Sequence, residues 1–246
     1  MRIDVYLFKN GYCKSREEAR KLIKQNCIKY NGVVIDKPSY EVTDGIELDV
    51  VNPFKYVSRG GDKLEAALDN FKINVKNCVC ADIGASTGGF TDCLLQHGAS
   101  KVYAIDSGSA QLADKLKSDS RVISMENVNA RYLGESDLPE LCDICVMDVS
   151  FISQTLIHGS VGEILKENGY FITLIKPQFE AGKENISKGG IVKDEKARLY
   201  AIERVIASAS LHNFEFIDRI ISPIKGGDGN IEYLALFKKL NKGMEI

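Results

Sequence analysis

Long apolar runs are missing from this chain. Nothing in its 246 residues approaches the ~18–20 consecutive apolar positions of a membrane span, so no transmembrane helix is expected. The N-terminus is charged throughout, which excludes the apolar core of a signal peptide. A charge excess is missing as well: 32 Lys and Arg stand against 34 Asp and Glu, a net −2. No global positive field draws the protein to nucleic acid, and any such binding must come from a local patch. Internal repeats, low-complexity tracts and the G-x-G-x-x-G fingerprint of a dinucleotide site are absent, the last disfavouring a dehydrogenase. Cysteine, by contrast, is present seven times, an odd number, mostly inside apolar runs. With no signal peptide this predicts reduced thiols in a cytoplasmic protein. Cys78-x-Cys80 and Cys142-x-x-Cys145 have metal-like spacing, but both fall in expected strands. Alternation there sends 142 and 145 to opposite faces, so no metal is expected and the thiols read as small buried residues.

The most informative stretch is Val79-Cys80-Ala81-Asp82-Ile83-Gly84-Ala85-Ser86-Thr87-Gly88-Gly89-Phe90. An apolar run ends in a carboxylate, breaks into a glycine-rich turn and continues as an amphipathic segment. That is the strand–loop–helix opening of a nucleotide-binding α/β domain. Glycines 84, 88 and 89 let a ligand and backbone N–H groups come close where a Cβ would clash. The spacing favours an adenosine ligand without phosphates, and S-adenosyl-L-methionine fits. Asp106, 22 residues beyond Gly84, closes the next apolar run and is placed to accept hydrogen bonds from ribose hydroxyls.

The first fifty residues read as a separate module. Ser15-Arg16-Glu17-Glu18 is a capping box opening a helix to about residue 26, with Ala19, Leu22 and Ile23 on its apolar face. Arg16, Arg20 and Lys24 form a cationic stripe at i, i+4, i+8, with Lys14 and Lys21 beside it. Residues 1–30 hold eight Lys/Arg and three Asp/Glu. Asn31-Gly32 between apolar triplets signals a hairpin, and residues 46–50 a further strand. The stripe has two readings, a solvated face or a grip on RNA phosphates. Arg2 to Leu7, Ser15 to Ile23 and Val33 to Pro38 resemble the S4 RNA-binding domain. That resemblance implies docking on structured RNA, with Arg2, Lys14, Arg16, Arg20, Lys21 and Lys24 facing it.

Pro53 stops the preceding strand and marks a boundary, giving a small domain over 1–53, a linker over 54–59 and a second domain over 60–240. Strands are expected at 78–83, 101–106, 121–126, 143–148 and 170–175, and helices at 89–97, 109–117, 152–166 and 194–211. This alternation predicts a mostly parallel sheet with helices on both faces. Residues 214–221 and 231–237 flank a glycine turn and must pair antiparallel. The fold class is α/β, a Rossmann-like class I methyltransferase sheet with an antiparallel last strand, behind a small S4-like module.

Ligands of open α/β sheets sit beyond the carboxyl ends of the strands. Those ends are Asp82, Asp106, Glu126 with Asn127, Asp148 and Lys176. Glu232 follows the last glycine turn, and Lys63 lies in the first turn of a short helix, the wrong end for a cation. Methyl transfer to a hydroxyl needs the oxygen deprotonated in line with a sulfonium methyl. A second cation and partial burial lower a lysine pKa enough for a general base. Lys176 is therefore assigned as base, Lys63 as its neighbour orienting the ribose, Asp148 as positioning donor and base, and Glu232 as the anchor of one lysine.

In the order Lys63, Asp148, Lys176, Glu232, these residues are similar to the Lys-Asp-Lys-Glu tetrad of FtsJ-like ribose 2′-O-methyltransferases. With the S4-like module, residues 2–238 resemble the TlyA family of rRNA methyltransferases, often labelled haemolysins. The motifs are Tyr56 to Leu64, Asp82 to Asp92, Asp148 to Ser153, Ile175 to Glu180 and Lys188 to Val192. The resemblance implies transfer to a cytidine ribose at the ribosomal subunit interface, on large-subunit RNA alone or on both subunits. No metal is expected, and the reading is a monomer. The resemblance also implies a cofactor site over Asp82, Gly84, Ala85, Ser86, Thr87, Gly88, Gly89, Phe90, Asp106, Asn127, Asn129 and Asp148, with Arg59 toward the RNA. Gln178 to Lys193 reads as a mobile loop over that RNA. The pattern departs from the family at Ser107 to Gln111 and at Tyr56, where tryptophan is common. A membrane-active haemolysin and a non-catalytic ribosome-binding factor are the alternatives.

Overall fold

The computed structural model describes residues 1–13, 15–24, 26–50 and 55–241. Lys14 and the start of the linker, including Phe54, lie outside the described residues. Two compact units, Met1–Lys55 and Tyr56–Ile246, divide the chain.

In the first unit, helices α1 (Ile3–Lys9) and α2 (Arg16–Lys24) accompany a three-stranded antiparallel sheet. Its strands β1 (Ile28–Tyr30), β2 (Val33–Val34) and β3 (Asp49–Val50) run in the order β2-β1-β3. The Ser15 hydroxyl accepts the Glu18 N–H at 3.1 Å, capping α2. Asn31 and Gly32 both take positive φ (50° and 78°), as a tight hairpin turn demands. Ile3, Leu7, Ala19, Ile23 and Ile28 are fully buried and form one core. The strand expected over 46–50 shortens to its last two residues.

The second unit starts with α3 (Gly60–Phe71), β4 (Val79–Ile83), α4 (Gly89–Gln96), β5 (Lys101–Ile105), α5 (Asp114–Lys117) and β6 (Val122–Met125). It continues with β7 (Cys142–Met147), α6 (His158–Ile164), β8 (Leu165–Ile175), α7 (Pro177–Glu180), α8 (Glu195–Ser210), β9 (Phe214–Ile221) and β10 (Tyr233–Lys239). The seven strands form one sheet in the order β6-β5-β4-β7-β8-β10-β9. From β6 across to β8 the strands pair in parallel, and β10 runs antiparallel between β8 and β9. Separate apolar clusters, one including Leu94, Val102 and Ile172 and the other Tyr103, Phe171 and Phe237, contain the large buried side chains of this unit.

Three expectations need correction. The helix expected over 109–117 survives only as α5. The Asp106 and Glu126 carboxylates take the N–H groups of Gly108 and Ala110 (both 2.7 Å), holding the preceding stretch as a loop. The helix expected over 152–166 shrinks to a 3₁₀ turn and α6. The Glu180 carboxylate binds the Ser153 hydroxyl and Gln154 N–H (2.6 and 2.8 Å), and β8 begins at Leu165. Cys142 and Cys145 do not diverge but enter the same apolar cluster, because the register of β7 slips between Cys142 and Ile144.

Candidate active site

The β4–α4 loop is shaped by its glycines, each of which has a neighbour where a Cβ would stand. At Gly84 (φ +81°) that atom would lie 2.7 Å from the Asp148 carbonyl oxygen. At Gly88 (φ +93°) it would meet a Leu116 methyl at 2.2 Å, and at Gly89 the Ser58 hydroxyl at 2.2 Å. The glycines thus let the protein's own segments close on the loop, a role that the sequence pattern alone assigns to the ligand. Phe90 is buried in the core beneath, and Ala85 is nearly so.

Asp82 is fully buried, with Oδ2 accepting from the Thr91 N–H (2.9 Å) and hydroxyl (2.6 Å). Its Oδ1 has no partner among the described residues. Desolvation, outweighing the Thr91 bonds, pushes its pKa up to about 7. Asp106 accepts the Ser86 N–H on Oδ2 and the Gly108 N–H on Oδ1, both at 2.7 Å. Each oxygen keeps a lone pair for a further donor. A cleft of ≈ 360 Å³ opens beside it, lined by Gly84, Ser86, Asp106, Asn129, Asp148 and Phe151 among others. Asn129 lines this cleft while its side chain accepts the Arg131 N–H (3.1 Å). Asn127 does not line it; it lies at an adjoining groove with Tyr132.

A second cleft of ≈ 270 Å³ shares Gly84, Ser86, Asp148 and Ser150 with the first. Its lining includes Arg59, Lys63, Asp82, Thr87 and Lys176. Two ion pairs define its chemistry. The Lys63 ammonium donates to Glu232 Oε2 at 2.6 Å, both side chains almost wholly buried. The Lys176 ammonium lies 2.7 Å from Asp148 Oδ1 and donates to the Ser150 hydroxyl at 2.6 Å. The structure therefore brings Lys63, Asp148 and Lys176 to one cleft, with Glu232 behind Lys63. Lys63 is tolerated in the first turn of α3 because a carboxylate 169 residues away neutralises it. Removing one partner of such a buried pair costs about 3–5 kcal/mol.

Two neighbours of Asp148 escape sequence reasoning. Ser150 lines both clefts and contacts Lys176. Phe151 is 93% exposed, holds φ at +64° and sits 5.5 Å from the Phe179 ring. A strained, solvent-facing phenylalanine on the rim is held there against both backbone preference and hydrophobicity. The signals in the sequence are their place just past a strand tip and within the family motif Asp148 to Ser153. The segment 178–193 is folded back rather than extended. Asn230, itself buried, accepts the Val192 N–H and donates to the Gly190 carbonyl (3.0 and 2.8 Å).

In the first unit Arg2, Arg16 and Arg20 converge on Asp4 and remain about half exposed. Lys21 pairs with Glu17 at 3.1 Å, and Lys24 is exposed.

A parallel sheet closed by an antiparallel strand, with a cleft at the carboxyl rim holding paired lysines and carboxylates, defines a Rossmann-like methyltransferase. Family comparison carries this further: the FtsJ-like methyltransferase family matches residues 56–239 and the S4 domain residues 1–48. Hemolysin A of Brachyspira hyodysenteriae is 46% identical over 238 residues, covering 96% of this chain and 99% of that protein. The 16S/23S rRNA (cytidine-2′-O)-methyltransferase TlyA of Mycobacterium tuberculosis is 37% identical over 234 residues, covering 94% of this chain and 87% of that one. A solved Streptococcus thermophilus structure described as a hemolysin is 43% identical, covers 98% of this chain and 89% of that chain, and superposes with a TM-score of 0.78. The chain belongs to the FtsJ-like methyltransferases and, with its leading S4 domain, to their TlyA branch.

Proposed function

We propose that this protein transfers a methyl group from S-adenosyl-L-methionine to the ribose 2′-oxygen of a cytidine in ribosomal RNA, at the subunit interface of large-subunit RNA. The observation that carries the reading is the convergence of Lys63, Asp148 and Lys176 on one cleft beside the glycine loop. The Mycobacterium tuberculosis relative, whose name specifies cytidine 2′-O-methylation of 16S and 23S rRNA, supports the substrate class and makes small-subunit RNA a second substrate to score.

The residues present fit the cofactor. Asp106 has free acceptor capacity for a ribose diol, Asn129 lies on the same cleft wall, and the two contiguous clefts have the size of ordinary small-molecule sites. Gly84, Ser86 and Asp148 stand where the clefts join, so an adenosine held on the Asp106 side would leave its other end facing the lysines. When bound, the cofactor supplies an electrophilic sulfonium methyl.

The chain's own groups then orient and deprotonate. Lys63, fixed by Glu232, offers its remaining donors to the ribose. Asp148 and Ser150 hold Lys176 toward the cleft, where its neutral amine form would accept the proton of a ribose 2′-hydroxyl. Phe151 presents an open ring face on which a nucleobase stacks. Exchange of Lys176 for alanine is expected to reduce methyl transfer to rRNA by at least about 100-fold, the usual share of a general base, with cofactor affinity within about twofold of wild type. Radiolabelled methyl transfer with calorimetric titration of the cofactor checks it. Retained turnover removes the reading.

A further inference from the structure

Three arginines of the first unit share one carboxylate. Asp4, in the first turn of α1, is wholly buried, yet the groups it pairs with are Arg2, Arg16 and Arg20. Arg2 binds both oxygens through Nε (3.1 Å) and Nη2 (3.3 Å). Arg16 Nη2 and Arg20 Nε reach Oδ2 at 3.3 and 3.0 Å. Each of the three arginine side chains remains about half exposed. A guanidinium has five N–H donors. Arg2 uses two here and the others one each, so every member of the trio keeps donors facing solvent. Three positive charges against one negative leave the cluster net cationic.

Free arginines on a surface sweep many rotamers, and binding an anion must freeze them. Here the two from one face of α2 and one from the edge of α1 are gathered beforehand, their planes set by one buried anchor. We propose that Asp4 is a positioning residue that assembles Arg2, Arg16 and Arg20 into a seat for an RNA backbone phosphate. This rests on the RNA-methyltransferase reading above, and it adds a claim that charge alone contradicts. By Coulomb's law a carboxylate beside a phosphate seat weakens binding, so removing it strengthens binding. By preorganisation, removing it releases the arginines and weakens binding.

The sign of one measurement decides. Full-length protein is titrated against in vitro transcribed large-subunit rRNA between about 50 and 200 mM salt. Asp4→Asn is expected to bind about tenfold more weakly, although the patch gains a charge. The double variant Arg16→Lys, Arg20→Lys preserves every charge but loses the planar fork, and is expected to lose affinity to a similar extent with an unchanged salt slope. Equal or tighter binding by Asp4→Asn, with a steeper slope, overturns the proposal. Wild-type affinity in the lysine pair overturns it too, and that variant alone decides if circular dichroism finds Asp4→Asn unfolded. Wild-type protein with no affinity for the RNA sinks the functional reading itself, a different result from either.

Discussion

At the scale of single residues, burial and pairing decide what each carboxylate does. Asp82, Asp106, Asp148 and Glu232 all follow strands or turns in the sequence, yet their environments differ. Glu232 is engaged by Lys63, Asp148 by Lys176, and Asp106 by loop N–H groups with capacity to spare. Asp82 is walled in, and desolvation raises it to about 7 against a usual carboxylate value of about 3.9. A folded-state pKa above the unfolded one means that the native state holds a proton the unfolded chain has lost between those values. The favourable contribution is complete below about pH 4 and is lost as pH rises through 7. Asp82→Asn, which keeps an acceptor for Thr91 without the charge, is expected to gain about 3 kcal/mol relative to wild type between pH 5 and pH 8. Urea unfolding of both proteins at the two pH values checks this; a constant difference contradicts it.

At the scale of elements, the approach to α3 is fixed by close contact. A Cβ at Gly61 would stand 2.2 Å from Cγ of the buried Tyr56 ring, and the neighbouring Gly60 packs toward Gly89. Asp92 in α4 accepts the Val57 N–H at 2.8 Å, tying the strap that precedes α3 to that helix. Lys63 follows two residues after Gly61, so its aim depends on this packing. Gly61→Ala forces overlap with a rigid ring and is expected to cost about 3 kcal/mol. The corresponding fall in Tm is roughly 6–12 °C for a unit of this size. Methyl transfer should fall further than stability accounts for, measured below the variant's transition. An unchanged Tm contradicts the packing argument. The same logic explains the loop Ser107 to Ala113, where periodicity points to helix. Two carboxylates, the adjacent Asp106 and Glu126 from just past the next strand, outcompete the helix for its N–H groups.

At the scale of the molecule, two units each hold a core of their own. The cleft proposed for catalysis, and every lysine and carboxylate of that proposal, belong to the second. The half-exposed arginines around Asp4 belong to the first. Deleting residues 1–55 is therefore expected to leave cofactor affinity unchanged while rRNA affinity falls and its salt slope shrinks by about 0.7–0.9 for each phosphate no longer neutralised. Calorimetry with the cofactor and filter binding at several salt concentrations check both halves. An unchanged salt slope contradicts a role for the first unit in RNA binding.

The sequence alone determined the alternation of strands and helices, the hairpin at Asn31-Gly32 and the charged residues at strand tips, because apolar period and turn chemistry are local. It also carried the family motifs. Tertiary structure decided what locality cannot. It joined Lys63 to Glu232 across 169 positions, drew Cys142 and Cys145 to one face through a slipped register, and put Ser150 on Lys176. It also turned the stripe of Arg16 and Arg20 into a cluster around Asp4. Partners of this kind meet only after the sheet and helices have packed, since no spacing along the chain encodes a distance across it.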